Sequence, residues 1–239
     1  MITFSVCPHD TEKGLKNWLE ISEKIKQIFN QEVVFEPFKN FYQEYVFVSL
    51  KEFKPDIYYA SFDITLKLLE KDYKIIGKFK DSLDRFLLIT LKNQKELKSI
   101  SIIDKLSSYI ALYEADLYDK EIIISGMAKS FEDSLERLLE KKADAALVFE
   151  DYYKGLDQKI KNKIEILREI TLDLSHYFLV STEFYENNLE NIKRFIQELN
   201  LQELSEENVN KIKEHRKFGK MLKNSLIKSF LIESLTTNL

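Results

Sequence analysis

Apolar and polar residues alternate over Ile2-Thr3-Phe4-Ser5-Val6, a period of two that predicts a β-strand. Pro8, His9 and Asp10 interrupt it, with Asp10 or Thr11 as the expected cap of the next helix. Leu15, Trp18, Leu19, Ser22, Ile25, Ile28 and Phe29 then recur at three- and four-residue spacing, the stripe of a helix buried on one face. Val33-Val34-Phe35 predicts a second strand. A strand, a helix and a strand within about 35 residues predict a parallel pair, because parallel strands need a crossover.

The same alternation of elements continues. A helix is predicted over about 42–53, ended by Pro55, then a buried strand over Asp56–Ala60 and a helix over Ile64–Leu69 with Asp63 near its start. Tyr73–Phe79 and Phe86–Leu91 lack a helical period and read as strands, antiparallel neighbours across the polar Asp81–Arg85. Lys92–Lys98 is the most hydrophilic short stretch of the first half and is taken as a lobe boundary. Beyond it, Ser108–Tyr113 and Glu121–Ser125 read as strands, and Ser130 caps a helix running to Lys142. Asp144–Phe149, Ile164–Leu172 and Tyr177–Val180 read as strands, and from Asn188 onward the pattern is helical. Alternating strands and helices predict an α/β fold.

Composition narrows the function. The 239 residues are 44% hydrophobic and 32% charged, with Lys+Arg 36 against Asp+Glu 40, so no basic footprint for nucleic acid exists. No apolar run reaches the roughly 20 residues of a membrane-spanning helix, and no charged-then-apolar leader opens the chain. The single cysteine, Cys7, excludes an internal disulfide and a multi-cysteine metal site. His9, His176 and His215 show no metal-ligand spacing, and no Gly-rich loop or nucleophile motif points to an enzyme. No metal, cofactor or catalytic residue is therefore expected. Trp18 is expected in the first helix.

Three segments in order, Ile2–Asp10 (ITFSVCPHD), Lys54–Ser61 (KPDIYYAS) and Ser130–Asp151 (SFEDSLERLLEKKADAALVFED), resemble the solute-binding proteins of phosphate/phosphonate-type ABC importers. His176–Val180 resembles the late strand of that family, so the likeness spans roughly residues 2–200. It implies a two-lobed, type II periplasmic-binding-protein-like α/β fold. Lobe 1 is expected over 1–92 plus about 177–204, a shortened lobe 2 over 99–172, and a helical C-terminal extension over 205–239. It further implies non-catalytic binding of a small molecule in an interlobe cleft, an ABC permease or sensor protein as partner, and a periplasmic or extracytoplasmic location, with the cytoplasm as the alternative. A ligand-free scaffold or protein-interaction module of the same fold is the second functional reading.

The resemblance also places the cleft. His9 follows the first strand. Ser61 and Phe62 stand where the family has Gly-Pro, Thr65 stands for a Tyr, and Phe41 or Tyr42 approximates another Tyr. Phe131 replaces a family His and Phe149 a cleft acid, with Asp151 beside it. Only Glu114–Lys120 separates the two predicted strands where the family has a Ser/Thr-rich loop and a helix N-terminus for the phosphonate, so that loop and helix are expected to be lost. Donors thus give way to aromatics, and standard phosphonate binding is expected to be weak, since a buried oxyanion needs convergent donors.

Overall fold

The alternation at the N-terminus becomes strand β1 (Ile2–Val6), followed by helix α1 (Pro8–Phe29), β2 (Val33–Pro37), α2 (Phe41–Ser49), β3 (Ile57–Ala60), α3 (Phe62–Leu69) and β4 (Tyr73–Phe79). Next come β5 (Asp84–Leu91), β6 (Ser99–Ile103), α4 (Leu106–Glu114), β7 (Ile123–Ala128), α5 (Phe131–Leu139), β8 (Ala145–Phe149), α6 (Glu150–Lys154), α7 (Gln158–Lys161) and β9 (Ile164–Leu172). The chain ends with β10 (Tyr177–Ser181), α8 (Thr182–Asn187), α9 (Leu189–Glu198), β11 (Leu201–Gln202) and α10 (Glu206–Thr236). This computed structural model describes residues 1–38, 40–50, 52–117 and 123–236; the side chains of 9, 11–13, 123, 125–127 and 226–236 lie outside the description.

The chain divides into two units, Met1–Ser82 with Leu174–Lys213 and Leu83–Asp173 with Glu214–Leu239. The first holds a six-stranded sheet in the order β11-β4-β10-β3-β1-β2, the second a five-stranded sheet in the order β7-β6-β8-β5-β9. β1 runs parallel to β2 and β3, as the crossover rule requires, and β10 returns antiparallel between β3 and β4. In the second unit β6 is parallel to β7 and β8, while β5 is antiparallel to β8 and β9.

One face of the first sheet carries Phe4, Val6, Ile57, Tyr59, Phe178 and Val180, packed against Trp18, Ile25 and Ile28 of α1 and Ile192 and Phe195 of α9. β3 is buried along its whole length, because Tyr58, out of phase with Ile57 and Tyr59, is buried too and meets Phe38 at 6.1 Å. In the second unit α5 covers β6 and β8 with Leu135 and Leu138. Its cap forms as expected, Asp133 N–H donating to Ser130 Oγ at 3.1 Å.

The aspartates of the two motif strands have one job. Asp56 Oδ2 accepts from the Thr3 N–H (2.8 Å) and hydroxyl (2.9 Å), tying β3 to the start of β1. Asp144 Oδ2 accepts from the Ser99 N–H (2.9 Å) and hydroxyl (2.9 Å), tying β8 to the start of β6. Both clamps sit at the amino ends of the parallel strands, leaving the carboxyl ends for other work. Asp144→Ala is expected to cost about 2–3 kcal/mol, the loss of several bonds to one carboxylate. A urea titration followed by far-ultraviolet circular dichroism checks it, and a change under about 0.5 kcal/mol would make the clamp irrelevant.

Several expectations are corrected. β4 and β5 are not neighbours but lie in different sheets, so the units meet in the chain at Ser82/Leu83 and not at Lys92–Lys98. The predicted lobe 1 of 1–92 therefore loses β5, whose partners β8 and β9 come from distant sequence. The C-terminal extension of 205–239 is not a separate body, because α10 is divided between the units after Lys213. Ser108–Tyr113 is not a strand but part of α4, and β6 has no counterpart among the predicted strands. Of the strand expected over Glu121–Ser125, Glu121 and Ile122 lie outside the described residues, and β7 covers the rest. The first strand ends before Pro8 as expected, and Pro8 opens α1 at its first position, with Cys7 as the cap residue in place of Asp10 or Thr11.

Candidate functional site

In open α/β sheets ligands gather outside the carboxyl ends of the parallel strands, where loops meet helix N-termini. Each unit of this chain builds such an edge. In the first unit β1 ends at Cys7 and the start of α1, β2 ends at Phe38 before α2, and β3 ends at Ser61 before α3. His176, leading into β10, lies beside the end of β3, because Tyr177 pairs with Ala60.

Cys7 is held in place by its own N–H, which donates to the Tyr59 carbonyl at 2.9 Å. Asp10 lies in the first turn of α1, its N–H on the Cys7 carbonyl at 3.1 Å. α1 kinks at Gly14, and Trp18 spans the kink, its indole N–H donating to the Asp10 carbonyl at 3.0 Å. His176 Nε2 sits 3.3 Å from Asp10 Oδ2, and the imidazole stacks on Tyr59 at 5.7 Å. A further hydrogen bond joins His176 to Cys7, whose thiol pKa is pushed up, chiefly by burial and then by the Glu44 charge. Trp18 is thus bonded to the first turn of α1.

The sequence-predicted residues of this unit divide. Ser61 is the residue before α3, and its buried Oγ has no hydrogen-bond partner among the described residues. Phe62 and Thr65 are fully buried, the Thr65 hydroxyl donating to the Ala60 carbonyl at 3.4 Å. Phe41 and Tyr42 open α2, Phe41 half-buried and Tyr42 77% exposed. The His9 side chain lies outside the described residues; its backbone is in the first turn of α1.

In the second unit the carboxyl ends of β7, β6 and β8 lead into α5, α4 and α6 in that spatial order. Phe131, first residue of α5, and Phe149, preceding α6, come together with ring centroids 5.4 Å apart, and Phe86 and Tyr152 extend the cluster at 4.5 and 5.9 Å. Asp151 is exposed in the first turn of α6, next to Glu150, which pairs with Lys154 at 3.0 Å. Between the two aromatics in strand order stands the start of α4, with Ser107 and Ser108 buried in its first turn.

The premise of the expected loss, a strand over Ser108–Tyr113, is overturned: that segment lies in helix α4, which follows β6. The strand expected over Ser108–Tyr113 hides the helix start at Leu106, in whose first turn Ser107 and Ser108 lie. The signal available is Asp104-Lys105, a polar break between an apolar run and a Ser-Ser pair. Asp104 does not leave an unbalanced negative charge there, because Lys223 of α10 binds both its oxygens at 2.6 and 2.7 Å. Tyr109 also donates to Asp104 Oδ1 at 3.1 Å.

No protein-family model matches the chain, and a search of curated proteins finds no match. Solved structures do match. PhnD1 from Prochlorococcus marinus in complex with methylphosphonate aligns with a TM-score of 0.67 at 12% identity, covering 92% of this chain and 98% of that one. A binding protein component of an ABC phosphonate transporter from Pseudomonas aeruginosa also gives 0.67, at 13% identity over 94% and 88%. The periplasmic aliphatic sulphonate-binding protein SsuA from Escherichia coli gives 0.62, at 12% identity over 95% and 78%. Two α/β units with the same strand-end construction, matched over nearly the full chain at identities this low, establish architecture: the chain has the type II periplasmic-binding-protein fold.

Proposed function

We propose that this chain is a non-catalytic solute-binding protein whose ligand is a small organic oxyanion, a sulfonate or a substituted phosphonate in preference to inorganic phosphate. The observation that carries this reading is the start of α4, a nine-residue helix with two serines in its first turn, set between Phe131 and Phe149 in strand order. A helix N-terminus and hydroxyl donors suit an oxyanion head, and flanking aromatics suit an apolar substituent. An ABC permease or a sensor protein as partner, and an extracytoplasmic location, accompany the same reading.

A thermal-shift series tests it, using alkyl and aryl sulfonates, methylphosphonate, inorganic phosphate and neutral amino acids. A ligand present at a hundred times its Kd stabilises by about 2.7 kcal/mol, roughly 5–10 °C in Tm for a chain of this size. The expected order is substituted sulfonate or phosphonate first and phosphate last, with the gain reduced in Ser108→Ala. If none of these anions raises Tm at millimolar concentration, the reading fails.

One observation favours the second reading, an interaction module. Leu15 and Leu19 of α1 and Tyr42, Tyr45 and Phe47 of α2 are all exposed, an apolar set on two helices of one unit. Self-association or permease capture that is abolished by Leu19→Lys and Tyr45→Lys, with no anion-induced shift in Tm, would support it.

A further inference from the structure

We propose that Cys7, Asp10 and His176 form a binding site for a zinc-class divalent cation at the strand-end edge of the first unit. One donor atom from each residue, the thiol sulfur, a carboxylate oxygen and an imidazole nitrogen, lies within 4.8 Å of the other two. These are the three ligand types that zinc accepts, whereas magnesium and calcium take oxygen ligands. With zinc bonds of about 2.0–2.3 Å, a tetrahedral site sets its donors about 3.3–3.6 Å apart. His176 Nε2 and Asp10 Oδ2 already stand at 3.3 Å. The widest pair needs to close by only about an ångström, within the reach of side-chain rotation.

The supports are built in. Cys7 is locked to β3 through Tyr59, Asp10 is held by Trp18 across the kink, and His176 is stacked on Tyr59. The first two bonds fix the backbones that carry the Cys7 and Asp10 side chains, and the stacking fixes the plane of the His176 ring. The Asp10 side chain is 24% exposed and gives an ion its way in, whereas Cys7 is fully buried. Three protein ligands leave a fourth position for water or an anion, the arrangement of functional zinc sites.

Cobalt(II) titration of the full chain, kept reduced with a non-thiol reductant, tests the proposal. Cys7 is the only cysteine in the sequence, so a thiolate-to-cobalt charge-transfer band in the near ultraviolet can arise from no other residue. One equivalent of cobalt is expected to produce that band and to quench Trp18, with zinc reversing the band and calcium leaving it unchanged. His176→Gln and Asp10→Asn are each expected to weaken cobalt binding at least about tenfold. No charge-transfer band at millimolar cobalt overturns the proposal, as does undiminished affinity in both variants. The wild-type spectrum decides the matter even if a variant fails to fold. None of these outcomes depends on whether an organic anion binds, so this inference and the proposed function stand or fall separately.

Discussion

Phe178→Ala is expected to destabilise the first unit by about 3–5 kcal/mol, the cost of emptying a buried aromatic site that its surroundings only partly refill. Phe178 is fully buried in β10, opposite Tyr59 of β3 and Gly77 of β4. Its ring lies 4.7 Å from Tyr59, 5.3 Å from Phe79, 5.5 Å from Phe195 and 6.3 Å from Trp18. The residue therefore joins the central strands to α1 and α9 at once. Trp18 is the only tryptophan and lies in the first unit, so its fluorescence during urea unfolding reads this unit alone. Tyr42→Ala, at a 77% exposed position, is the control and should change stability by less than about 0.5 kcal/mol. A loss below about 1 kcal/mol in Phe178→Ala would mean that the aromatic cluster is not packed as described.

Alkali is expected to unfold the protein through its buried tyrosines. Burial first, and then the neighbouring Glu44 carboxylate, raises the Tyr58 pKa well above its ordinary 10.0. Its hydroxyl donates to Glu44 Oε1 at 2.8 Å, a bond the phenolate cannot make. Tyr73 is raised by burial and then by Asp56, and its hydroxyl donates to the Pro55 carbonyl at 2.7 Å. Tyr109 is raised by burial and then by Asp104.

The direction of the effect is set by proton binding. Below pH 10 both folded and unfolded tyrosines are protonated, and the full stability is present. Above it the unfolded chain releases protons that the folded chain keeps, so stability falls as pH rises towards the folded values. The slope is at most about 1.4 kcal/mol per pH unit for each buried tyrosine. It is smaller for Tyr109, whose partner Asp104 is partly open to solvent. Urea midpoints read from Trp18 at pH values on either side of 10 measure this. Tyr58→Phe should flatten the alkaline slope by about one tyrosine's share, and Tyr109→Phe, in the other unit, should leave the Trp18 signal unchanged. Equal slopes in wild type and Tyr58→Phe would remove Tyr58 from the account.

Phase and spacing make much of the fold legible, and the failures have physical causes. β1, β2, β3 and β10 are readable from alternation or short apolar runs, and α9 from its stripe of Ile192 and Phe195. α4 reads as a strand because residues 107–112 are buried in succession, so no polar face interrupts the apolar run and the period of 3.6 vanishes. That single misreading also hides Ser107 and Ser108 and suggests a lost loop. α2 misleads in the opposite sense: Tyr42, Tyr45 and Phe47 are exposed, while the acid Glu44 is 1% exposed beneath them, held by Tyr58. Leu15 and Leu19 belong to the predicted stripe of α1, yet both face solvent, while Trp18 and Ile25 carry the packing.

Local chemistry was enough to specify which segments form most of the strands and helices, that the first strands pair in parallel, and that helix starts stand at the ends of those strands. Period, turn residues and chirality act over a few neighbours, and a linear text contains them. Which unit owns β5, which of Phe41, Phe62 and Thr65 are interior, and that His176 meets Cys7 and Asp10 depended on tertiary structure. Those outcomes are settled by contacts between residues distant in the chain, whose energies are decided by packing and burial, and no spacing in the sequence encodes them.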